Sequence, residues 1–282
     1  MDIRIVADSS CDLPLSFIAN RGVDFVSVPL KIQANGREFV DTPDLDPAEM
    51  LAAVRASSTR CSTACPAPEE FAAAFRGAAG PVFAFTISSR LSGSYNSACR
   101  GRDMVLEENP AARILVIDSR TAACAVGLQI FQLAEHLRRG GSPEDPDLPA
   151  RLEHFRDTLH TRFILHSFDN LVNAGRMSRI AGLMASALSI RPICGDNGNG
   201  EIKVFEKVRG TRTALLRLVQ RMEEDGLADG SPVFLSQCNN AEDADFLRQE
   251  ILRRRPACPV TVFATRGLAS FYAGEGGIVA AY

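Results

Sequence analysis

No run of eighteen consecutive apolar residues occurs in this chain of 282, so no helical span of a bilayer is expected. Charge of one sign is not in excess either. The 31 lysines and arginines against 34 aspartates and glutamates leave a formal net charge of −3, which gives no electrostatic case for nucleic acid or an anionic membrane surface. The opening MDIRIVADSSCD carries Asp2, Arg4 and Asp8 without a long apolar core behind them, unlike a secretory signal. A cytoplasmic location is expected. The eight cysteines include no C-x-x-C pair, and only Cys61 and Cys65 lie close together. In a reducing compartment they read as small core or loop residues. His154, His160 and His166 recur every six residues, but six residues turn a helix by roughly 600°, so they share no face. No metal site is expected. A G-x-S-x-G elbow, a G-x-G-x-x-G loop and a P-loop lysine pattern are all missing, which counts against the familiar hydrolase and nucleotide-binding sites.

What is present is an ordinary globular balance, 46% hydrophobic and 23% charged, in a length suited to two domains. The most informative stretch is Val82 to Ala98, VFAFTISSRLSGSYNSA. It reads as a buried strand, a hydroxyl-rich loop, and a helix opened by small polar residues and continuing through Tyr95 to Val105. A helix start leaves backbone N–H groups unpartnered and favours an anion. Gly93 permits close backbone approach there, while Ser92 and Ser94 offer hydroxyls. This loop is expected to grip the polar head of an otherwise apolar ligand.

Along the chain, Ile3 to Ala7 reads as a strand ending in Asp8-Ser9-Ser10, where an aspartate suits an Asx-turn or cap. Phe25 to Ile32 reads as a second strand, Asn35-Gly36 as a hairpin turn, and Asp46-Pro47 as a helix start. Thr59 to Phe71 reads as a loop entering a helix, with Thr63 near a reversal that brings it towards Ser92. Ile114 to Ile117 closes in Asp118-Ser119, and Thr121 to Arg138 is a long apolar helix pattern. Strands alternating with helices imply a parallel sheet covered on both faces, with functional loops at the strand C-terminal ends. From about Thr161 the texture changes. Asp196 to Gly200 is a strong turn between two strands, which implies a mixed or antiparallel sheet. The expected architecture is therefore α/β in two domains. Residues 1–160 form a three-layer domain with a parallel sheet, and residues 161–282 an α+β domain with a mixed sheet.

Taken together, these motifs resemble the DegV family of bacterial fatty-acid-binding proteins. The resemblance rests on IRIVADSSCDLP, VPLKI with GREFVD, TACPAPEEF, ISSRLSGSYNSA, VIDS, LVNAGRMSR, IRPI and KVRGTRTAL, which run in the family's order over nearly the whole chain. It implies two α/β domains with a long-chain fatty acid between them, and presentation of that acid to a separate kinase subunit that phosphorylates the carboxylate using ATP. It also implies a carrier rather than an enzyme, with no cofactor besides the bound acid. By position, Thr63 and Ser92 would hydrogen-bond the carboxylate, Gly93 and Ser94 would complete the loop, and Arg176 would serve the head group or kinase docking. The chain departs from the family at Tyr272, where a histidine is usual, at Arg191 before Pro192, and at Cys65. Tyrosine donates a hydrogen bond without bringing a histidine's charge. The small residues within Ile180 to Ile190 suit an acyl tail or a plain core helix equally. Two other readings stay open: a hydrolase using Ser92 or Ser94 as nucleophile, and a small phosphate-ligand binder using the Ser92-Gly93-Ser94 helix start.

Overall fold

The computed structural model describes residues 3–19, 23–178 and 189–282. In the N-terminal region, β1 (Arg4–Asp8), β2 (Asp24–Val28), β6 (Val82–Thr86) and β7 (Ile114–Asp118) form a parallel sheet in the order β2-β1-β6-β7. β6 is buried along its whole length, as a central parallel strand between two helical layers must be. Val6, Val82, Ala84 and Val116 face α3 (Pro68–Phe75) and α4 (Ser94–Glu108), while Ile5, Ala7, Phe83, Phe85 and Ile117 face the opposite core. That alternation is the period-two signature of a strand sorting its side chains between two layers. A separate antiparallel sheet joins β3 (Lys31–Ala34), β4 (Arg37–Val40) and β5 (Ser62–Ala64), with β3 in the middle. Asn35 and Gly36, at φ 50° and 70°, make the left-handed turn between β3 and β4. The loop expected from Thr59 to the helix that it enters thus contains a strand, because Ile32 and Gln33 pair with Thr63 and Ser62; the helix follows as α3.

The C-terminal region carries a six-stranded mixed sheet in the order β10-β9-β8-β13-β11-β12. Its members are β8 (Thr161–Ile164), β9 (Ile190–Asp196), β10 (Ile202–Arg209), β11 (Val233–Gln237), β12 (Val260–Ala264) and β13 (Ile278–Ala281). Only β11 and β12 run parallel; the other pairings are antiparallel. One face of this sheet packs on a helical layer, α8 (Thr211–Glu224) and α9 (Ala241–Arg254).

The other face meets α5 (Cys124–Arg138), which also packs on the parallel sheet. Ten of the fifteen residues of α5 are buried, the condition of a helix covered on two sides rather than one. Phe131 and Phe17 meet Phe234 and Phe263 in edge-on and tilted contacts across this layer, geometries that aromatic pairs favour. The helix begins three residues later than the apolar pattern from Thr121 suggests. Arg120 and Ala123 adopt positive φ values of 54° and 59°, which no regular helix accommodates.

α4 crosses α3 at Gly101, where an added Cβ would stand 2.6 Å from the Pro68 carbonyl oxygen and 2.9 Å from the Ala72 nitrogen. Helix propensity favours alanine over glycine by about 1 kcal/mol, yet Gly101→Ala is expected to destabilise the protein by about 1–3 kcal/mol, because the obstacle is backbone. Urea unfolding against the parent decides between the two, since a gain in stability would mean the helices are not in contact here.

Candidate functional site

The parallel strands end in register, with Ala7 beside Phe85 and Thr86 beside Asp118. The loops that follow therefore gather at one edge of the sheet. Asp8 organises the first. Its Oδ1 accepts from the Ser10 backbone N–H at 3.2 Å and the Ser10 hydroxyl at 2.5 Å. Its Oδ2 accepts from the Ile87 N–H at 3.0 Å. Asp8 is thus the Asx-turn residue anticipated at this strand end, and it reaches across to β6 as well. Burial pushes its carboxyl above the usual range, while hydrogen bonds from Ser10, Ile87 and the Ser94 hydroxyl pull the other way. Asp118 does the same for the serine loop. It accepts from the Ser89 N–H at 3.0 Å, the Ser89 hydroxyl at 2.5 Å, and the Arg120 N–H at 3.1 Å.

Between these anchors the loop folds back on itself, with the Leu91 and Ser92 N–H groups donating to the Ser88 carbonyl at 2.9 and 3.1 Å. The Ser92 hydroxyl then sits 3.2 Å from that of Ser94 and accepts from the Ser94 N–H at 3.3 Å, just ahead of the first turn of α4. Ser94 is fully buried and committed to Asp8 and Ser92. Gly93 abuts Cys65, whose Sγ would lie 3.1 Å from an added Cβ. This contact sets the serine loop against the end of β5, which bears Thr63.

Thr63 meets an unexpected partner. Its Oγ1 lies 2.8 Å from the hydroxyl of Tyr272, 209 residues away. Tyr272 belongs to α10 (Gly267–Ala273), a short helix of the C-terminal region held by two carboxylates from the N-terminal region. Asp41 accepts from the Gly267 and Leu268 N–H groups at 2.9 and 2.8 Å, and Asp12 accepts from the Arg266 N–H at 2.8 Å. The Arg266 guanidinium donates onward to the Ser27 hydroxyl and the Asp41 carbonyl, both at 3.2 Å. An added Cβ on Gly267 would fall 2.6 Å from Asp41 Oδ1, so glycine is what lets the helix start approach this closely. None of Asp12, Asp41 and Arg266 was singled out as a site residue from the sequence. Their contacts span more than two hundred residues, and no local pattern announces them.

Arg176 also bridges the two regions. Its Nε donates to the Leu91 carbonyl at 2.9 Å and its Nη1 to the Ala174 carbonyl at 2.6 Å. It thus fastens the serine loop while lining the same cavity as Tyr272. That cavity encloses about 840 Å³ between the sheets, its mouth included, and its apolar wall comes from Ile87, Leu91, Phe163, Leu165, Leu268 and Val279. Of the stretch expected to line a tail, residues 180–188 lie outside the described residues, and Ile190 opens β9. Among the described residues the lining comes from β8, β13, α10, the loops after β1, β6 and β7, the segment of Leu171 and Arg176, and the β9–β10 hairpin around its turn.

The sequence profile described as uncharacterised protein, DegV family, matches residues 2–282. This chain belongs to the DegV family. A DegV domain-containing protein of Streptococcus pneumoniae is 33% identical over 285 residues, covering 100% of this chain and 99% of that protein. The crystal structure of the fatty acid kinase (Fak) B3 protein of S. pneumoniae, loaded with linoleic acid, superposes with a TM-score of 0.92 at 32% identity, over 100% of this chain and 99% of that one. A DegV family protein from Eubacterium eligens loaded with heptadecanoic acid gives 0.91 at 31% identity, over 99% and 98%.

The carboxylates that hold the DegV site together make it sensitive to pH. Burial pushes the Asp12 carboxyl up to about 7, against the Arg266 N–H, which favours the charged form. The unfolded chain loses this proton near the ordinary aspartate value, about 3.9. Between roughly pH 4 and 7 the folded protein therefore holds a proton that the unfolded chain has released. The stability this group contributes is whole below that window and is lost as pH rises through 7. Asp8 and Asp41, also raised by burial, tilt the profile the same way. Urea unfolding of Asp12→Asn should match the parent at about pH 4 and exceed it increasingly as pH rises to about 7, by about 1–3 kcal/mol or more at pH 8. Parallel profiles across that range would show that Asp12 does not titrate with folding.

Proposed function

We propose that this chain binds a long-chain fatty acid in the cavity between its two units, residues 1–160 and 161–282, and acts as a carrier. The observation that carries the reading is an apolar cavity lined by Tyr272, Leu91 and Arg176. Thr63, Ser92, Gly93 and Ser94 are not among its lining residues, but Thr63 adjoins it through the Tyr272 hydroxyl and Ser92 follows Leu91 directly. Two similar proteins with linoleic and heptadecanoic acid bound support it.

The energetics are consistent with such a ligand. About fourteen buried methylenes, at about 0.8 kcal/mol each, contribute on the order of 11 kcal/mol before the costs of association. A carboxylate buried without partners would cancel much of that gain. In the assignment made here, Thr63, Tyr272 and Ser92 donate to it, and the Gly93 helix start supplies backbone polarity. Arg176 contributes positive charge from behind the loop, and Ser94 holds Ser92 in place. Thr63 and Tyr272 share one hydrogen bond and carry two hydroxyl hydrogens, so one remains to be donated to an anion. The partner in this reading is a fatty acid kinase catalytic subunit, which would phosphorylate the carried carboxylate using ATP. The similarity to the Fak B3 protein motivates that step. A serine hydrolase is disfavoured, because the Ser92 and Ser94 hydroxyls pair with each other and, through Ser94, with Asp8, without an imidazole among the described partners to act as base.

Organic extraction of the purified protein, followed by mass spectrometry, should yield stoichiometric fatty acid. Each hydrogen bond to a charged group is worth about 1.5–3 kcal/mol. Tyr272→Phe should therefore weaken binding roughly tenfold, and Thr63→Ala with Ser92→Ala on the order of a hundredfold or more, with folding intact by circular dichroism. A double variant that retains acyl chains as the parent does would overturn the head-group assignment. Lipid-free protein that cleaves a chromogenic ester with multiple turnovers would overturn the carrier reading.

A further inference from the structure

Ser88 is fully buried and does not line the cavity, yet every hydrogen-bonding group it has is engaged. Its N–H donates to the Thr121 carbonyl at 2.8 Å, and its carbonyl accepts from the Leu91 and Ser92 N–H groups at 2.9 and 3.1 Å. Its hydroxyl donates to the Gly200 carbonyl at 2.7 Å and accepts from the Arg90 N–H at 3.2 Å, which uses both capacities of an alcohol at once. Ser88 therefore joins three segments: the loop after β7, the turn between β9 and β10, and its own loop as far as Ser92.

Gly200 belongs to the other region, 112 residues away, and its turn is braced. Asp196 Oδ1 accepts from the Gly198 N–H at 2.9 Å, and the Asn197 N–H donates to the Glu201 carbonyl at 3.0 Å. The approach to Ser88 is close. At φ 83°, an added Cβ on Gly200 would fall 2.3 Å from Ser88 Oγ and 3.1 Å from Arg120 Cα, so glycine is what lets the turn reach this far. The same hairpin lines the cavity through Gly195, Asp196, Gly200, Glu201 and Ile202. At the other end of the loop, the Ser92 N–H hangs from the Ser88 carbonyl. A hydrogen bond weakens steeply with lost alignment, so the place of Ser88 decides how well the Ser92 hydroxyl can serve a carboxylate.

We propose that Ser88 is a positioning residue of the head-group site: its hydroxyl bond to Gly200 ties the serine loop to the six-stranded sheet and so places Ser92 for a carboxylate that Ser88 itself does not touch. The inference rests on the fatty-acid reading above and adds to it a residue that sets head-group affinity from behind the loop. Without the Gly200 bond, Ser88 keeps its backbone tie to Thr121 and loses its tie to the other region. Arg176, at the Leu91 carbonyl, is then the remaining hydrogen bond from the C-terminal region to this loop among the described residues. Tyr272, the other donor in the assignment, belongs to that same region, so a looser loop misaligns the two donors.

The test compares the dissociation constants of hexadecanoic acid and hexadecanol, which share a tail and differ in the head, on lipid-free protein. Ser88→Ala should weaken the acid roughly tenfold and the alcohol by less than about threefold, with folding intact by circular dichroism. In a Ser92→Ala background the further loss of acid affinity should stay below about threefold, because Ser88 acts through the hydroxyl already removed. Gly200→Ala sets a methyl against Ser88 Oγ from the other region and should reproduce the Ser88→Ala pattern; it decides should Ser88→Ala fail to fold. Acid affinity equal to the parent's, a loss shared equally by acid and alcohol, or a full loss that persists when Ser92 is alanine overturns the positioning role and leaves the fatty-acid reading in place. A Ser92→Ala variant that binds the acid as tightly as the parent overturns it through its premise. A parent that takes up no acid at all overturns the fatty-acid reading, and this inference with it.

Discussion

The structure depends on one shared helix. α5 serves as a covering layer for the parallel sheet and for the six-stranded sheet at once, and the Cys124 thiol at its start donates to the Phe234 and Val279 carbonyls of the second sheet at 3.4 and 3.5 Å. Two sheets separated by the width of a helix leave a gap wherever that helix stops. α5 begins at Cys124, and the cavity is lined by Thr121, Ala122 and Ala123, the three residues immediately before it. The cavity is the continuation of the α5 layer, roofed by the loops at the C-terminal edge of the parallel strands. Filling it with hydrocarbon replaces the packing that a longer helix would have supplied, which suits an acyl tail better than a polar ligand.

The same edge concentrates acidic side chains, and their arrangement decides how an anion can bind near them. Asp8, Asp41 and Asp118 turn inward, each accepting two or three hydrogen bonds from loop N–H and hydroxyl groups, and Asp12 takes the Arg266 N–H. Burial favours the protonated forms of Asp8, Asp12 and Asp41, which reduces the negative field at the rim. The acids act as joints of the scaffold.

How far the sequence revealed this follows the reach of each interaction. The strand, serine loop and helix of residues 82–108, the Asn35-Gly36 hairpin and the Asp196–Gly200 turn were legible because their signals are local: apolar periodicity, turn residues and helix-start chemistry. β5 was missed. Three residues around Thr63 carry no strand pattern of their own and owe their conformation to pairing with β3. The start of α5 was placed early because the apolar run begins at Thr121, whereas the positive φ values of Arg120 and Ala123 are imposed by the tertiary contacts of that loop. The Thr63–Tyr272 pair and the Asp12 and Asp41 anchors join positions more than two hundred residues apart. Each of those side chains was visible in the sequence, but the partner that gives it a role was not.

Tyr272 brings these threads together. Its hydroxyl depends on α10 for position, α10 depends on Asp41 and Asp12, and those aspartates belong to the region that also supplies Thr63 and the serine loop. In the proposed reading, a ligand gripped by Thr63 and Tyr272 would touch both halves of the molecule through a rim that the scaffold has already aligned. Alignment made before binding spares the ligand the entropy of ordering that rim. The phenol fits this scheme. It is held edge-on against Phe271, with ring centroids 4.9 Å apart, and its hydroxyl meets Thr63 at 2.8 Å. In the proposed reading the rim would meet an anion through hydroxyl dipoles, because the guanidinium of Arg176 already fastens the serine loop through the Leu91 carbonyl.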